Sequence, residues 1–135
     1  MIQIRAIHKF FHRGLGHEVH ALRGIDLDIS AGEFVTLIGT NGAGKSTLLN
    51  TIAGVYAPDE GSIAIAGRDV TRLQEHQRAG LIGRVFQNPL DGTAGSLTIE
   101  QNMALALRRG HQRGFRLGVT RERREHFRSV LKTLG

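Results

Sequence analysis

The stretch GTNGAGKSTLLN, Gly39–Asn50, places three glycines within six residues and follows them with a lysine, two hydroxyls and a pair of leucines. It fits the pattern G-x-x-x-x-G-K-[ST]. Gly39, Gly42 and Gly44 can take backbone angles closed to other residues, which would let successive N–H groups of Gly39, Thr40, Asn41, Gly42, Ala43 and Gly44 point inward at an anion. A helix starting near Lys45 adds unpaired N–H donors and a partial positive charge of about half a unit at the same place. Lys45, a point cation on a flexible stem, suits the β and γ phosphates of a nucleotide. The Ser46 hydroxyl suits Mg²⁺, and Thr47 lies one residue further, near the α phosphate.

The flanks carry the order that such a loop requires. GEFVTLIG, Gly32–Gly39, is a short apolar run rich in β-formers and bounded by glycines, which predicts a buried strand. KSTLLNTIAG, Lys45–Gly54, puts Leu48, Leu49 and Ile52 on one helical face and stops at a glycine suited to the C-cap. Strand, glycine loop and helix together predict nucleotide binding.

Composition bounds the rest. The chain has 135 residues, 40% of them apolar and 22% charged, an ordinary balance for one globular domain. It has no cysteine, which excludes disulfides and thiolate metal sites. MIQIRAIHKFF at the start is broken by Gln3, Arg5, His8 and Lys9, so it lacks the apolar core of a signal peptide. No apolar run approaches the roughly 18 residues needed to span a bilayer, and the expectation is a cytoplasmic protein. The net charge of +6 is uneven: residues 1–107 carry nine Lys/Arg against ten Asp/Glu, and residues 108–135 carry nine against two. Such a segment attracts nucleic acid or anionic headgroups, or simply forms a solvated helical face. Only Phe115 and Phe127 accompany the charge, which argues against a base-stacking surface for nucleic acid.

Along the chain, Ile2, Ile4 and Ala6 alternate as a strand, residues 12–18 form a turn, and Leu22, Ile25, Leu27 and Ile29 mark a second strand, antiparallel to the first. Ile63 and Ile65 predict another strand, and GRDV a turn after it. Residues 71–80 read as a short polar helix with Thr71 as N-cap, and LIGRVFQ (81–87) as a strand ending at Gln87. A loop follows, then a helix capped by Thr98 with Ile99, Met103 and Ala106 on one face. A Gly- and Arg-rich insertion spans 111–118, and a last helix carries Phe127, Val130, Leu131 and Leu134 as its apolar stripe.

In this order, HKFF, VHALRGIDLDISAGEFVTLIG, GTNGAGKST, PDEGSIAIAGRDV, VFQNP and LTIEQNMALA resemble the ATP-binding subunit of ATP-binding-cassette (ABC) transporters over essentially the whole chain. The phosphate loop is common to many NTPases, while its spacing to PDEGSI and VFQNP is specific to this family. The resemblance implies an α/β fold: a P-loop NTPase with an ABC-type ATPase core, an N-terminal antiparallel β layer and the start of a helical subdomain. Residues 1–87 would hold the β layer, phosphate loop and core, and 88–135 the beginning of the helical part.

It also implies site residues. The family stacks adenine on an aromatic just after the first strand, a place held by Phe11 with adjacent Phe10 as competitor, since either ring offers a flat π face. Gln87 resembles the family's Q-loop glutamine, whose amide oxygen joins the Mg²⁺ shell. ATP and Mg²⁺ are the implied ligands. The implied partners are transmembrane permease subunits, a second ATP-binding subunit and a solute-binding protein of an amino-acid-type importer, on the inner face of the cell membrane. The signature SGGQ, an apolar run ending in Asp-Glu and a switch histidine do not follow Gln87, so the chain reads as the N-terminal portion of a longer ATPase that binds ATP without appreciable hydrolysis by itself. Two other readings stand beside this one: an ABC-type ATPase acting on nucleic acid or ribosomes, and a non-catalytic nucleotide-binding fragment.

Overall fold

The computed structural model describes residues 1–111 and 118–133. They form two compact units, Met1–Ile82 and Gly83–Gly135. No helix among the described residues is long and apolar enough to cross a membrane.

The first unit is built on a four-stranded antiparallel sheet in the order β2-β1-β3-β4, with β1 at Ile2–Phe11, β2 at Val19–Ile29, β3 at Glu60–Ile65 and β4 at Arg68–Asp69. Helix α1, Lys45–Ala53, and the one-turn helix α2, Glu75–Arg78, complete it. The expected N-terminal antiparallel layer is present. GRDV, read as a turn, instead contributes β4, which pairs Ala64 with Asp69 and Ile65 with Arg68. Ile4, Ile7, Leu22, Leu48, Ile52, Ile63, Ile65 and Val70 form one buried cluster between sheet and α1. Fully burying a large aliphatic side chain of this kind contributes about 1.5–3 kcal/mol relative to leaving it exposed.

A bulge in β1 decides which residues join that cluster. The alternation Ile2, Ile4, Ala6 breaks at Arg5–Ala6, where the register with both neighbouring strands shifts. Ala6 takes a left-handed φ of 46°, stays exposed, and donates its N–H to Asp26 Oδ1 at 2.8 Å instead of joining the ladder. Opposite it, Gly61 has φ 88°, and any side chain there would collide with the carbonyls of Arg5 and Ala6. The bulge adds one residue, so Ile7 takes the core position that alternation assigns to Ala6.

Two predicted strands do not form. Residues 33–40 and 82–86 have no regular structure. Phe34 and Ile38 are each 92% exposed and Val85 98%. A strand exists only through hydrogen bonds to a neighbour, and among the described residues neither run has one; every pairing present is antiparallel and lies within the β1–β4 sheet.

The helices follow their signals more closely. Helix α1 ends at Gly54 in the left-handed conformation, with its N–H bonded back to the helix, although Leu49 faces solvent instead of the core. Thr71 is not the cap of α2: Gln74 holds that place in a reciprocal box with Gln77, and the Thr71 hydroxyl bonds Asp69 and the Ile63 amide. These Thr71 contacts hold the Asp69 carboxyl below the usual carboxylate range. Arg78, almost wholly buried, donates to the carbonyls of Thr51, Ile52, Thr71 and Leu73. It thereby satisfies the C-terminal carbonyls of α1, where a cation is also favoured by the helix dipole. Burial lowers its pKa, offset in part by Asp69, and the guanidinium remains charged.

The second unit contains a 3₁₀ turn, Pro89–Gly92, and helices α3, Ile99–Leu107, and α4, Arg121–Lys132. Thr98 caps α3 as predicted, in a box with Gln101. The face buried by α3 differs from the predicted one, since Ala104 is buried while Ile99 and Ala106 are exposed. In α4, Phe127 is buried, and Val130 and Leu131 are exposed. Residues 112–117 of the predicted insertion, with Phe115, and Leu134 of the predicted stripe lie outside the described residues.

Candidate nucleotide site

The loop from Gly39 to Gly44 meets α1 at a sharp turn. Gly44, the N-cap, has φ 85° and offers no side chain to cap the helix. A Cβ on it would lie 2.7 Å from the Ala21 carbonyl oxygen and 3.3 Å from Leu22 Cδ2. Only glycine lets the loop rest on β2 this closely while turning into the helix. The first bond of α1 runs from the Leu48 N–H to the Gly44 carbonyl at 2.8 Å. The N–H groups of Lys45, Ser46 and Thr47 therefore have no acceptor among the described residues, as a helix start of this form leaves them.

Asn41, Gly42, Ala43, Gly44, Lys45, Ser46 and Thr47 line a cavity of about 240 Å³. Lys45 reaches back across the loop, its Nζ donating to the carbonyls of Gly39 and Thr40, both at 2.7 Å. These two bonds hold an ammonium beside the unpaired helix N–H groups, so donors and cation converge on the same space. The Ser46 hydroxyl is exposed and has no protein partner among the described residues, which leaves its oxygen available to a hard cation. The donor set fits a polyphosphate with its Mg²⁺.

The two candidate aromatics fall on opposite faces of β1. Lys9 is paired with Leu22, whose side chain meets the phosphate loop, and Phe11 shares the Lys9 face, with Lys9 Nζ 5.7 Å from its ring centroid. Tyr56, two residues past the cap of α1, meets Phe11 edge-on at 5.3 Å between centroids. Phe10 turns the other way. Its ring stacks on His20 at 3.9 Å and His8 at 6.4 Å, with the Arg13 guanidinium 4.6 Å from its centroid. Along β2, Val19, the partner of Phe11, is two residues from Ala21, which touches the loop. That is a step of about 7 Å along a strand.

Asp59 ties down the end of β1. Its Oδ2 accepts the Phe10 N–H at 2.7 Å and pairs with Lys9 Nζ at 3.2 Å, and its own N–H donates to the His8 carbonyl at 2.9 Å. Burial pushes its carboxyl up, but the Phe10 amide and the Lys9 ammonium outweigh that, so its pKa lies below the usual carboxylate value. Sequence reasoning missed Asp59, Lys9 and Tyr56. The first two read as ordinary turn and strand polar residues, and nothing in the one-dimensional pattern brings residue 56 beside residue 11.

Gln87 belongs to the second unit, is exposed, and follows Phe86, whose ring carries the Arg84 guanidinium 4.7 Å from its centroid. Asn88 closes the turn after it, accepting the Leu90 N–H at 3.1 Å.

Residues 22–135 match a protein family described as ABC transporter. A tyrosine transport ATP-binding protein of Clostridioides difficile is 41% identical over 110 residues, covering 82% of this chain and 44% of that protein. A methionine import ATP-binding protein of Vibrio vulnificus is 39% identical over 110 residues, covering 79% of this chain and 31% of that one. Among solved structures, a dimeric ATP-binding cassette in a post-hydrolysis state bound to ADP and Pi superposes with a TM-score of 0.76 at 29% identity, covering 98% of this chain and 56% of that chain. The chain thus spans less than half the length of these curated relatives.

Proposed function

The chain belongs to the ABC transporter family, and from that premise we propose that it is the nucleotide-binding front portion of an ATP-binding subunit that couples ATP binding and hydrolysis to solute import. The observation that carries the reading is the convergence at one helix start of the unpaired Lys45, Ser46 and Thr47 N–H groups, the Lys45 ammonium and a cavity of about 240 Å³. Oriented amides and a fixed cation are what a polyphosphate needs. In this reading Gly39, Thr40, Asn41, Gly42, Ala43 and Gly44 supply the backbone cradle. Lys45 binds the β and γ oxygens, Thr47 lies by the α phosphate, and Ser46 holds the Mg²⁺, which neutralises phosphate charge. Phe11 takes the adenine. For Gln87 a place in the metal shell rests on the VFQNP motif alone.

The partners that follow are membrane permease subunits, a second ATP-binding subunit and a solute-binding protein, with the chain peripheral on the cytoplasmic face of the membrane. The relatives are described as carrying tyrosine in one case and methionine in another, and solute selection falls to the permease and binding protein. Phosphoryl transfer requires a positioned water and charge stabilisation besides the cradle. The 135 residues supply the cradle, and turnover is expected from the cassette as a whole.

Isothermal titration with Mg-ATP tests the reading. Binding that weakens by about 30-fold in Lys45→Ala, the loss expected for one charge-assisted contact of about 2 kcal/mol, supports it. Equal affinity in the two proteins removes the phosphate loop from the site. Phosphate release from the chain at the Lys45→Ala background is the further expectation.

A further inference from the structure

We propose that Asp59 is the positioning residue for the base platform, fixing the end of β1 so that Phe11 is held against an adenine ring. This rests on the assignment of Phe11 above. The ladder between β1 and β3 ends at His8 with Glu60, so residues 9–11 have a strand neighbour only on the β2 side. On that side, too, the register shifts between Lys9 and Phe10. A three-residue strand end with one irregular neighbour would fray.

Asp59 replaces the missing strand. Its N–H donates to the His8 carbonyl at 2.9 Å, and its side-chain Oδ2 accepts the Phe10 N–H at 2.7 Å. One residue thus makes the two bonds that a continued β3 would have made. The same oxygen holds Lys9 Nζ at 3.2 Å, and that ammonium stands 5.7 Å from the Phe11 centroid. Buried Pro58 fixes the backbone immediately before it. Arg13, which pairs with Glu60 at 3.8 Å, is the other cation acting on the carboxylate. Asp59 itself does not contact the nucleotide; it acts through the orientation of Phe11.

The experiment compares the affinities of the 135-residue chain for ATP and for inorganic tripolyphosphate, which shares the phosphates and lacks the base. Asp59→Ala is expected to weaken ATP by about fivefold, the scale of one misaligned aromatic contact, and to leave tripolyphosphate unchanged. Phe11→Ala should give the same pattern, and the double variant should lose little more than Phe11→Ala alone, because both act through one contact. Equal weakening of both ligands in Asp59→Ala, or losses that add in the double variant, would overturn the positioning role. So would an unchanged preference for ATP in Asp59→Ala when Phe11→Ala abolishes it. An unchanged preference in Phe11→Ala overturns the base-platform assignment itself, and the role of Asp59 with it. Should Asp59→Ala fail to fold, Asp59→Leu, which keeps the branched shape of the side chain and removes the acceptor for the Phe10 amide, is read by the same criteria.

Discussion

The phosphate loop and the aromatic platform are two halves of one proposed nucleotide site, and they are built in opposite ways. The loop uses consecutive residues, 39–47, whose backbone N–H groups are proposed to meet the phosphates, with Lys45 folded back onto carbonyls only five and six positions away. The platform is assembled from Lys9, Phe11, Tyr56 and Asp59, brought together by strand pairing and by the turn after α1. A local site survives as long as its own turn survives. An assembled one depends on the register of the sheet that gathers it.

That difference can be broken most forcefully at Gly61. Gly61→Ala puts a methyl group against the Arg5 and Ala6 carbonyls, and the bulge must shift. We expect a stability loss of about 3 kcal/mol in chemical denaturation, the scale of a backbone clash at a left-handed position. The folded fraction should keep tripolyphosphate binding and lose its preference for ATP. Equal loss of both ligands would show that loop and platform are not separable.

Gly44→Ala tests the converse. Its new methyl meets the Ala21 carbonyl at 2.7 Å, so the loop must lift from β2. Strain of about 2 kcal/mol at such a residue predicts roughly 30-fold weaker binding of ATP and tripolyphosphate alike. A loss confined to ATP would contradict the division of labour.

The two phenylalanines sharpen it further. Phe11→Ala is expected to cost about 1 kcal/mol of ATP affinity, read by titration, with little change in melting temperature. Phe10→Ala should do the reverse, destabilising the fold by losing its stack on His20 while ATP affinity holds. A common response from both would undo the assignment of opposite faces.

The smallest expected effect concerns pH. Because the Asp59 pKa is lowered in the folded chain, its stabilisation is fully present above the ordinary carboxylate value of about 4 and is lost as pH falls through the folded value below that. A carbon-detected titration of Asp59 should give a midpoint below the ordinary value. A midpoint at or above it would mean that burial outweighs the Phe10 amide and Lys9.

The apolar runs around the loop show where sequence reasoning reaches its limit. Phe34–Ile38 and Ile63–Ile65 both read as strands, yet the second is paired and buried while the first is exposed and unpaired. Period and propensity report that a segment suits a sheet. They do not supply the neighbour whose hydrogen bonds make it one.

What the sequence determined by itself is the glycine turn at Gly44 into α1, the start of α1 at Lys45 and its stop at Gly54, the N-terminal antiparallel layer and the Thr98 cap. Each is written in residues a few positions apart, where backbone freedom, caps and short-range alternation act directly. Tertiary structure alone decided which phenylalanine shares a face of β1 with Ile7 and Lys9. Strict alternation from Ile2 and Ile4 carries through Ala6 and His8 to Phe10, whereas the bulge, set by Gly61 on β3 and Asp26 on β2, moves Ile7, Lys9 and Phe11 onto the core face. A one-residue shift inverts every side chain beyond it, and the residues that cause this one lie 20 and 55 positions from Ala6.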